Sequence, residues 1–178
     1  MSENIPPPAN GNDDIYAEMQ RLSRDAQRVR SAHFIASQRK NRNAKIIGAS
    51  VIVLNVLIGS GLIEAAFKDQ STVTILIKLL AFLAAALAGI QTFFNFQKEV
   101  ECHTNAGGVY SSIYRRIGEV MAEYQEIPAN RDALITNFKA LSAEYEKAND
   151  DSKGCIPTDS DYDKARAGIE RRSGGERT

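Results

Sequence analysis

The sequence predicts an all-α membrane protein: a two-helix transmembrane hairpin with long amphipathic cytosolic helices before and after it, forming a small cytosolic bundle. Two observations support this fold class. Two long apolar segments stand close together at residues 46–63 and 73–96, and apolar residues recur at helical spacing on either side of them. A hydrocarbon core of about 30 Å needs roughly 20 mostly apolar residues in a helix, which each segment supplies with its boundary residues.

The order of apolar, amphipathic and polar stretches divides the 178 residues into seven predicted regions. The two ends are polar and poor in large apolar residues, so neither is expected to bury enough surface to fold alone. For the second end, a short helix from Ser160 to Arg172 that orders on a partner is the alternative. The regions are a flexible leader (1–12), a cytosolic amphipathic helix (13–45), a first transmembrane helix (46–63), an external loop (64–72), a second transmembrane helix (73–96), further cytosolic helices (97–148) and a disordered tail (149–178).

Basic residues indicate the orientation of the chain in the membrane. The external loop carries one lysine against two acidic residues, whereas the stretch before the first apolar segment has only basic charge. Because positive charge is retained on the cytosolic side, both termini are expected in the cytosol. The first crossing is the expected insertion signal, since the polar start of the chain does not resemble a secretory signal peptide. The basic residues are Arg39, Lys40, Arg42 and Lys45.

The two cysteines, Cys102 and Cys155, fall in regions that this topology places in the cytosol. Thiols stay reduced in that compartment, and the two residues are far from any familiar metal-ligand spacing. The sequence therefore predicts neither a disulfide nor a zinc site.

The cytosolic helices carry their apolar residues at alternating spacings of three and four, as helices do when they pack along a narrow seam. A third helix is expected from about residue 130 to 148, with apolar residues on one face. Before the first crossing the seam residues are Ile15, Met19, Leu22, Ala26, Val29, His33 and Ala36. After the second crossing they are Phe96, Val100, His103, Gly107, Tyr110, Tyr114, Ile117, Met121 and Tyr124.

His33 and His103, the two histidines of the chain, each occupy a seam position. Single polar residues at such positions often fix the register between helices, and this is the favoured interpretation. A proton-sensitive contact between the two imidazoles is the alternative, because histidine titrates near neutral pH.

The second crossing has a bulky face and a small, weakly polar face. Leucines on the bulky face are expected against lipid, and the small face is expected against another helix or a water-filled path. Two interpretations stay open: the polar side chains make interhelical hydrogen bonds beside closely packed alanines, or the stripe lines a conduit in an oligomer. Lys78 is interpreted as a snorkelling anchor in either case. The candidate residues are Asn55 of the first crossing and Lys78, Ala81, Ala85, Ala88, Thr92 and Asn95 of the second.

No catalytic or metal-binding constellation is recognised, so the sequence predicts neither an enzyme nor a cofactor. Nucleic-acid binding is not expected either, because 22 basic residues are balanced by 22 acidic ones and the two are interspersed.

One ligand site is a candidate. Tyr110 and Tyr114 offer rings on which a nucleotide base could stack, and Arg115 and Arg116 offer charge for its phosphates. Core packing of the tyrosines is the alternative.

The order of these parts resembles the SLATT proteins, two-transmembrane effectors associated with SMODS and SLOG domains. The resemblance covers roughly residues 13–145 and includes the helix that reads His103-Thr-Asn-Ala-Gly-Gly-Val-Tyr-Ser-Ser-Ile-Tyr-Arg-Arg-Ile. It implies a bacterial conflict-system effector of the inner membrane that oligomerises and forms a pore or disrupts the bilayer. It also implies a cytosolic trigger, a nucleotide second messenger or the partner enzyme that makes it.

Two other functions remain compatible with the residues. A membrane-anchored adaptor would use its hairpin only to hold the cytosolic bundle at the bilayer, where the bundle recruits a partner. A phage-type holin would also permeabilise the membrane, although it has no evident need for such long cytosolic helices.

Overall fold

The computed structural model describes residues 11–60, 62–66, 70–126 and 131–175. These residues form helices and short connections and contain no strand, which confirms the all-α prediction. The helices are α1 (Gly11–Gly59), α2 (Leu62–Ala66), α3 (Gln70–Phe94), α4 (Phe96–Glu126), α5 (Arg131–Asp151) and α6 (Asp159–Gly175). The predicted leader lies mostly outside the described residues, and so does the end of the tail.

The chain divides into two compact units. The first, here called the core unit, consists of Met1–Ala36 and Cys102–Thr178. The second, called the apolar unit, is the continuous segment Ser37–Glu101.

The core unit is organised around apolar side chains from α1, α4 and α5. The two predicted seams supply four of the eight buried residues, and the buried positions on α1 recur at the expected helical spacing. Ile113 on α4 is buried as well, although it was not assigned to the seam. The buried cluster comprises Met19, Ala26, Tyr110, Ile113, Ile117, Leu134, Leu141 and Ala148.

The prediction of a disordered tail is wrong for most of its length. Residues 159–175 form α6, which begins with a capping arrangement at Thr158 and Asp161. The Asp161 carboxylate accepts hydrogen bonds from the Thr158 backbone N–H at 3.0 Å and from its hydroxyl at 2.8 Å. Asp161 and Ala165 are buried, so a few residues pack α6 against the rest of the core unit. The overall composition of the tail did not indicate these positions.

A disulfide joins Cys102 of α4 to Cys155, which lies between α5 and α6. The prediction of two unpaired thiols is therefore wrong for this structure. It rested on the expected compartment, whereas the fold brings together two cysteines that are 53 residues apart in sequence, with Cα atoms separated by 6.1 Å. Their spacing in sequence carries no signal for this contact.

The apolar unit contains the second half of α1, together with α2, α3 and the start of α4. Ser37 Oγ donates to the Val100 carbonyl oxygen at 3.4 Å, and Lys40 Nζ lies 2.6 Å from a Glu99 carboxylate oxygen. Within the part of the chain that the structure describes, two helices are long and apolar enough to cross a membrane. In the first of these helices, no residue of the most apolar stretch is buried. In the second helix, 11% of the corresponding stretch is buried.

Asn95 separates α3 from α4. Its φ of 39° lies in the left-handed region, which asparagine adopts more readily than other non-glycine residues. Its side-chain oxygen accepts from the Lys98 backbone N–H at 3.4 Å, as an N-cap does. Asn95 therefore ends one helix and starts the next.

Candidate functional site

The polar stripe of the second crossing lies on an exposed face of α3. Its five residues on this element are all exposed, and so are Asn95, directly after α3, and Asn55 of α1. The packed face of α3 is a different one: Val73 and Ala84 are buried, and leucines next to them on the helix surface are partly buried. The bulky face that was expected against lipid therefore provides part of the packing inside the unit, and the small face does not.

Individual stripe residues differ in how their polar atoms are satisfied. Thr92 Oγ1 donates to the Ala88 carbonyl oxygen at 3.0 Å, so its hydroxyl is paired within its own helix. Asn95, a predicted pore-lining candidate, is instead occupied with the start of α4. Lys78 is exposed about two turns into α3.

The predicted basic cluster before the first crossing forms part of a continuous helix. Lys40 is paired with Glu99, as described above. Arg42 and Lys45 line a shallow surface groove that includes Ile46, where the chain changes from basic to apolar. This change of character along one helix is typical of a membrane boundary.

The structure brings two of the four predicted ligand residues together. Tyr114 and Arg115 line a shallow groove of about 510 Å³, along with Ser23 and Arg30 of α1. The Arg30 guanidinium carbon lies 4.7 Å above the centre of the Tyr114 ring, a cation–π contact. The groove thus presents an aromatic ring beside two arginines, and Arg30 was missed because it belongs to a distant segment.

The other two predicted ligand residues have different roles. Tyr110 is buried, and its hydroxyl donates to the Asn149 side-chain oxygen at 2.6 Å. Burial raises the pKa of this phenol. Arg116 forms an ion pair with Glu144 of α5, which raises the pKa of its guanidinium. Neither residue lines the groove at Tyr114.

The two histidines meet inside the core unit. His33 Nδ1 and His103 Nδ1 are 3.2 Å apart, and both side chains are buried. The His33 ring stacks on Tyr110 with 5.6 Å between the ring centres. The seam spacing predicted that both residues face the core, and a contact between the imidazoles was the alternative interpretation of the sequence. The structure shows that contact.

Burial, and then the nearby His103, lower the pKa of His33 from 6.5 to about 4. His33 is therefore a neutral imidazole at neutral pH. In the contact between the two Nδ1 atoms, one nitrogen donates and the other accepts, so neutral rings in this contact carry their protons on different nitrogens.

Cys155 completes a compact group with these imidazoles. Its sulfur and one nitrogen of each histidine all lie within 4.8 Å of one another. Cys102, bonded to Cys155, adds a second sulfur. Histidine nitrogen and cysteine sulfur are the ligand types that borderline-soft metal ions prefer.

Comparison with known proteins finds no matching family model, no matching curated protein and no matching solved structure. The resemblance to the SLATT proteins stays a prediction from the sequence.

Proposed function

We propose that this protein is a bacterial inner-membrane effector. Its hairpins, formed by the two apolar helices, associate with other copies and permeabilise the bilayer when a cytosolic signal arrives. The main observation in support is that the weakly polar stripe on α3 is exposed and is not used for packing within the apolar unit. A second copy of the chain, or water held between copies, is a better partner for this face than lipid.

Asn55 strengthens the argument for self-association. Its amide is exposed on α1 within the predicted first crossing, where hydrocarbon offers no hydrogen bonds. Polar side chains of this kind associate with one another across helices in a membrane. Because one hairpin has too few helices to enclose water, a conduit requires several copies, and closed symmetry is the expected arrangement.

The proposed trigger site is the groove at Tyr114. A nucleotide base stacked on the Arg30 guanidinium, which lies over the Tyr114 ring, and phosphates held by Arg115 would match its chemistry. A ligand can open the assembly only if it binds the open arrangement more tightly than the closed one. Both termini are cytosolic in this proposal, so the groove faces the compartment in which the signal is made.

The experiment is dye release from liposomes that contain the purified protein, with cyclic nucleotides added on the side of the termini. Ala85→Leu puts a bulky side chain on the stripe and is expected to reduce the release. Ala86→Leu is the matched control, because Ala86 is also exposed but lies one residue away, on the face of Phe82 and Phe93. The control is expected to release dye like the wild type.

Equal release from the two variants would exclude the stripe as the conduit. Intact liposomes under all conditions would favour the membrane-anchored adaptor. In that case an unrelated two-crossing hairpin should replace residues 46–94 without loss of activity in cells, whereas a pore would not tolerate the exchange.

A further inference from the structure

Four side chains that are suited to bind a transition metal converge in the core unit. They come from three separate parts of the chain: His33 from α1, Cys102 and His103 from α4, and Cys155 from the connection between α5 and α6. His33, His103 and Cys155 are each at most 5% exposed. The disulfide holds the Cys102 sulfur against this buried group.

We propose that reduction of the disulfide converts this group into a Zn²⁺ site, in which the Cys102 and Cys155 thiolates and the His33 and His103 imidazoles bind one metal ion. Two cysteines and two histidines around a tetrahedral ion form a common structural zinc site. This inference does not depend on the proposed membrane function.

The spacing of the nitrogens fits such a site. With Zn–N distances of about 2.0–2.1 Å, two nitrogens on a tetrahedral ion lie about 3.3–3.4 Å apart. The Nδ1 atoms of His33 and His103 are 3.2 Å apart. With Zn–S distances of about 2.3 Å, the separation from nitrogen to sulfur is about 3.6 Å, so the group within 4.8 Å needs only small side-chain movements.

The placement of the imidazoles also fits. Zinc binds the unprotonated nitrogen of an imidazole, and both rings are buried with their Nδ1 atoms facing each other. With zinc bound through both Nδ1 atoms, both rings carry their protons on Nε2, so only the imidazole that donates in the contact between the rings changes its tautomer. The adjacent residues Cys102 and His103 point about 100° apart around α4, but the disulfide and the histidine contact show that each reaches the group from its own side.

The chemistry has two balanced steps. A dithiol reductant gives two electrons and two protons to the disulfide and leaves as its own disulfide, which produces the Cys102 and Cys155 thiols. Zn²⁺ then replaces the two thiol protons, which pass to solvent, while the imidazoles bind without a change in charge. The disulfide and the zinc site exclude each other, because both use the same sulfurs.

An access route for the reductant and the ion lies beside the group. A cavity of about 170 Å³ is lined by His33 and Cys155 together with Tyr110, Asn149 and Ser152. In a reducing cytosol, where this disulfide would not persist, the metal would provide the connection between α1, α4 and the segment before α6.

The test uses the full-length protein purified in detergent, in an oxidised form and after reduction by a phosphine. The phosphine becomes its oxide with the oxygen of water as the sulfurs gain electrons and protons. Co²⁺ serves as the spectroscopic probe, because thiolate ligands give it a charge-transfer band and tetrahedral coordination gives it intense visible bands. We expect one Co²⁺ per reduced chain, displaced by Zn²⁺, and none in the oxidised form.

Matched variants locate the ligands. Cys155→Ser and His33→Asn are expected to lose or strongly weaken the bands, whereas Ser152→Ala, which changes the same cavity without removing a ligand, is expected to keep them. The proposal is overturned if the reduced wild type is folded but gives no charge-transfer band, or if the bands persist unchanged in Cys155→Ser.

A second measurement covers the case in which a variant does not fold. In the reduced wild type, Zn²⁺ is expected to protect both cysteines from alkylation, as read by mass spectrometry of the peptides. Equal alkylation rates with and without Zn²⁺ would overturn the proposal. So would a loss of the folded state on reduction that Zn²⁺ does not restore.

Discussion

The two units differ most in what surrounds their large apolar side chains. In the core unit, Ile117 is fully buried among residues of α1, α4 and α5. In the apolar unit, Ile75 and Phe93 are 69% and 83% exposed. The core unit therefore contains its own apolar interior, whereas the apolar unit has an apolar exterior that a lipid phase would cover. One chain thus combines two folding solutions, one suited to water and one suited to a membrane.

The tyrosines provide a probe that separates the two units. The chain contains six tyrosines and no tryptophan, and every tyrosine lies in the core unit. Near-ultraviolet circular dichroism of the protein in detergent therefore reports mainly on the packing of that unit. Unfolding by urea, followed by this signal, can be compared between variants of either unit.

The largest expected effect comes from the same substitution in the two units. Ile117→Ala removes a fully buried side chain and is expected to lower the free energy of unfolding by about 2–5 kcal/mol. Ile75→Ala, at an exposed position, is expected to change the tyrosine unfolding curve by less than about 0.5 kcal/mol. Equal effects on urea unfolding would contradict the distinction between a buried interior and an apolar exterior.

A smaller effect is expected from two neighbouring glycines of α4. A Cβ atom at Gly107 would lie 3.0–3.2 Å from atoms of the Phe34 ring, whereas a Cβ atom at Gly108 would meet nothing within 4 Å. Gly108→Ala is therefore expected to stabilise the protein by about 0.5–1 kcal/mol through helix propensity. Gly107→Ala is expected to be about 1–2 kcal/mol less stable than Gly108→Ala, because Phe34 must shift.

Urea midpoints of the two alanine variants measure this difference. If both gain stability equally, the close contact between Gly107 and Phe34 does not restrict the core unit. The two glycines would then affect stability only through the helix propensity of α4.

The smallest expected effect concerns α6, which the sequence did not predict as an ordered helix of the core unit. Asp161→Ala removes the hydrogen bonds to Thr158 and is expected to cost about 1 kcal/mol. Asp163→Ala, in the same helix but exposed, is expected to cost less than about 0.5 kcal/mol. Hydrogen exchange of the α6 amides should increase only in the Asp161 variant, and similar exchange in both would argue against this cap.

Helical periodicity predicted the features that depend on one element at a time. It assigned Met19, Ala26 and Ile117 to packed seams, and it turned His33 and His103 towards the interior. These assignments hold because spacings of three and four place residues on one face of any α-helix, whatever that face contacts.

Contacts between side chains from two distant segments of the chain could not be predicted from the sequence. The pairing of Cys102 with Cys155, the approach of Arg30 to Tyr114 and the ion pair of Arg116 with Glu144 each depend on the tertiary fold. The choice of the packed face on α3 was missed for a similar reason. A helix with one bulky and one small face can pack through either, and the neighbouring helices decide which.

The interrupted sequence of the core unit imposes an order on its synthesis. Met19 and Ala26 leave the ribosome early, but their partners on α4 and α5 follow only after the 65 residues of the apolar unit, from 37 to 101. At a translation rate of about 5–20 residues per second, synthesis of these 65 residues alone takes roughly 3–13 s. If the apolar unit enters the membrane as proposed, it is available for insertion during this interval, before the core unit has all its parts. In the proposed membrane protein, insertion can therefore precede folding of the core unit.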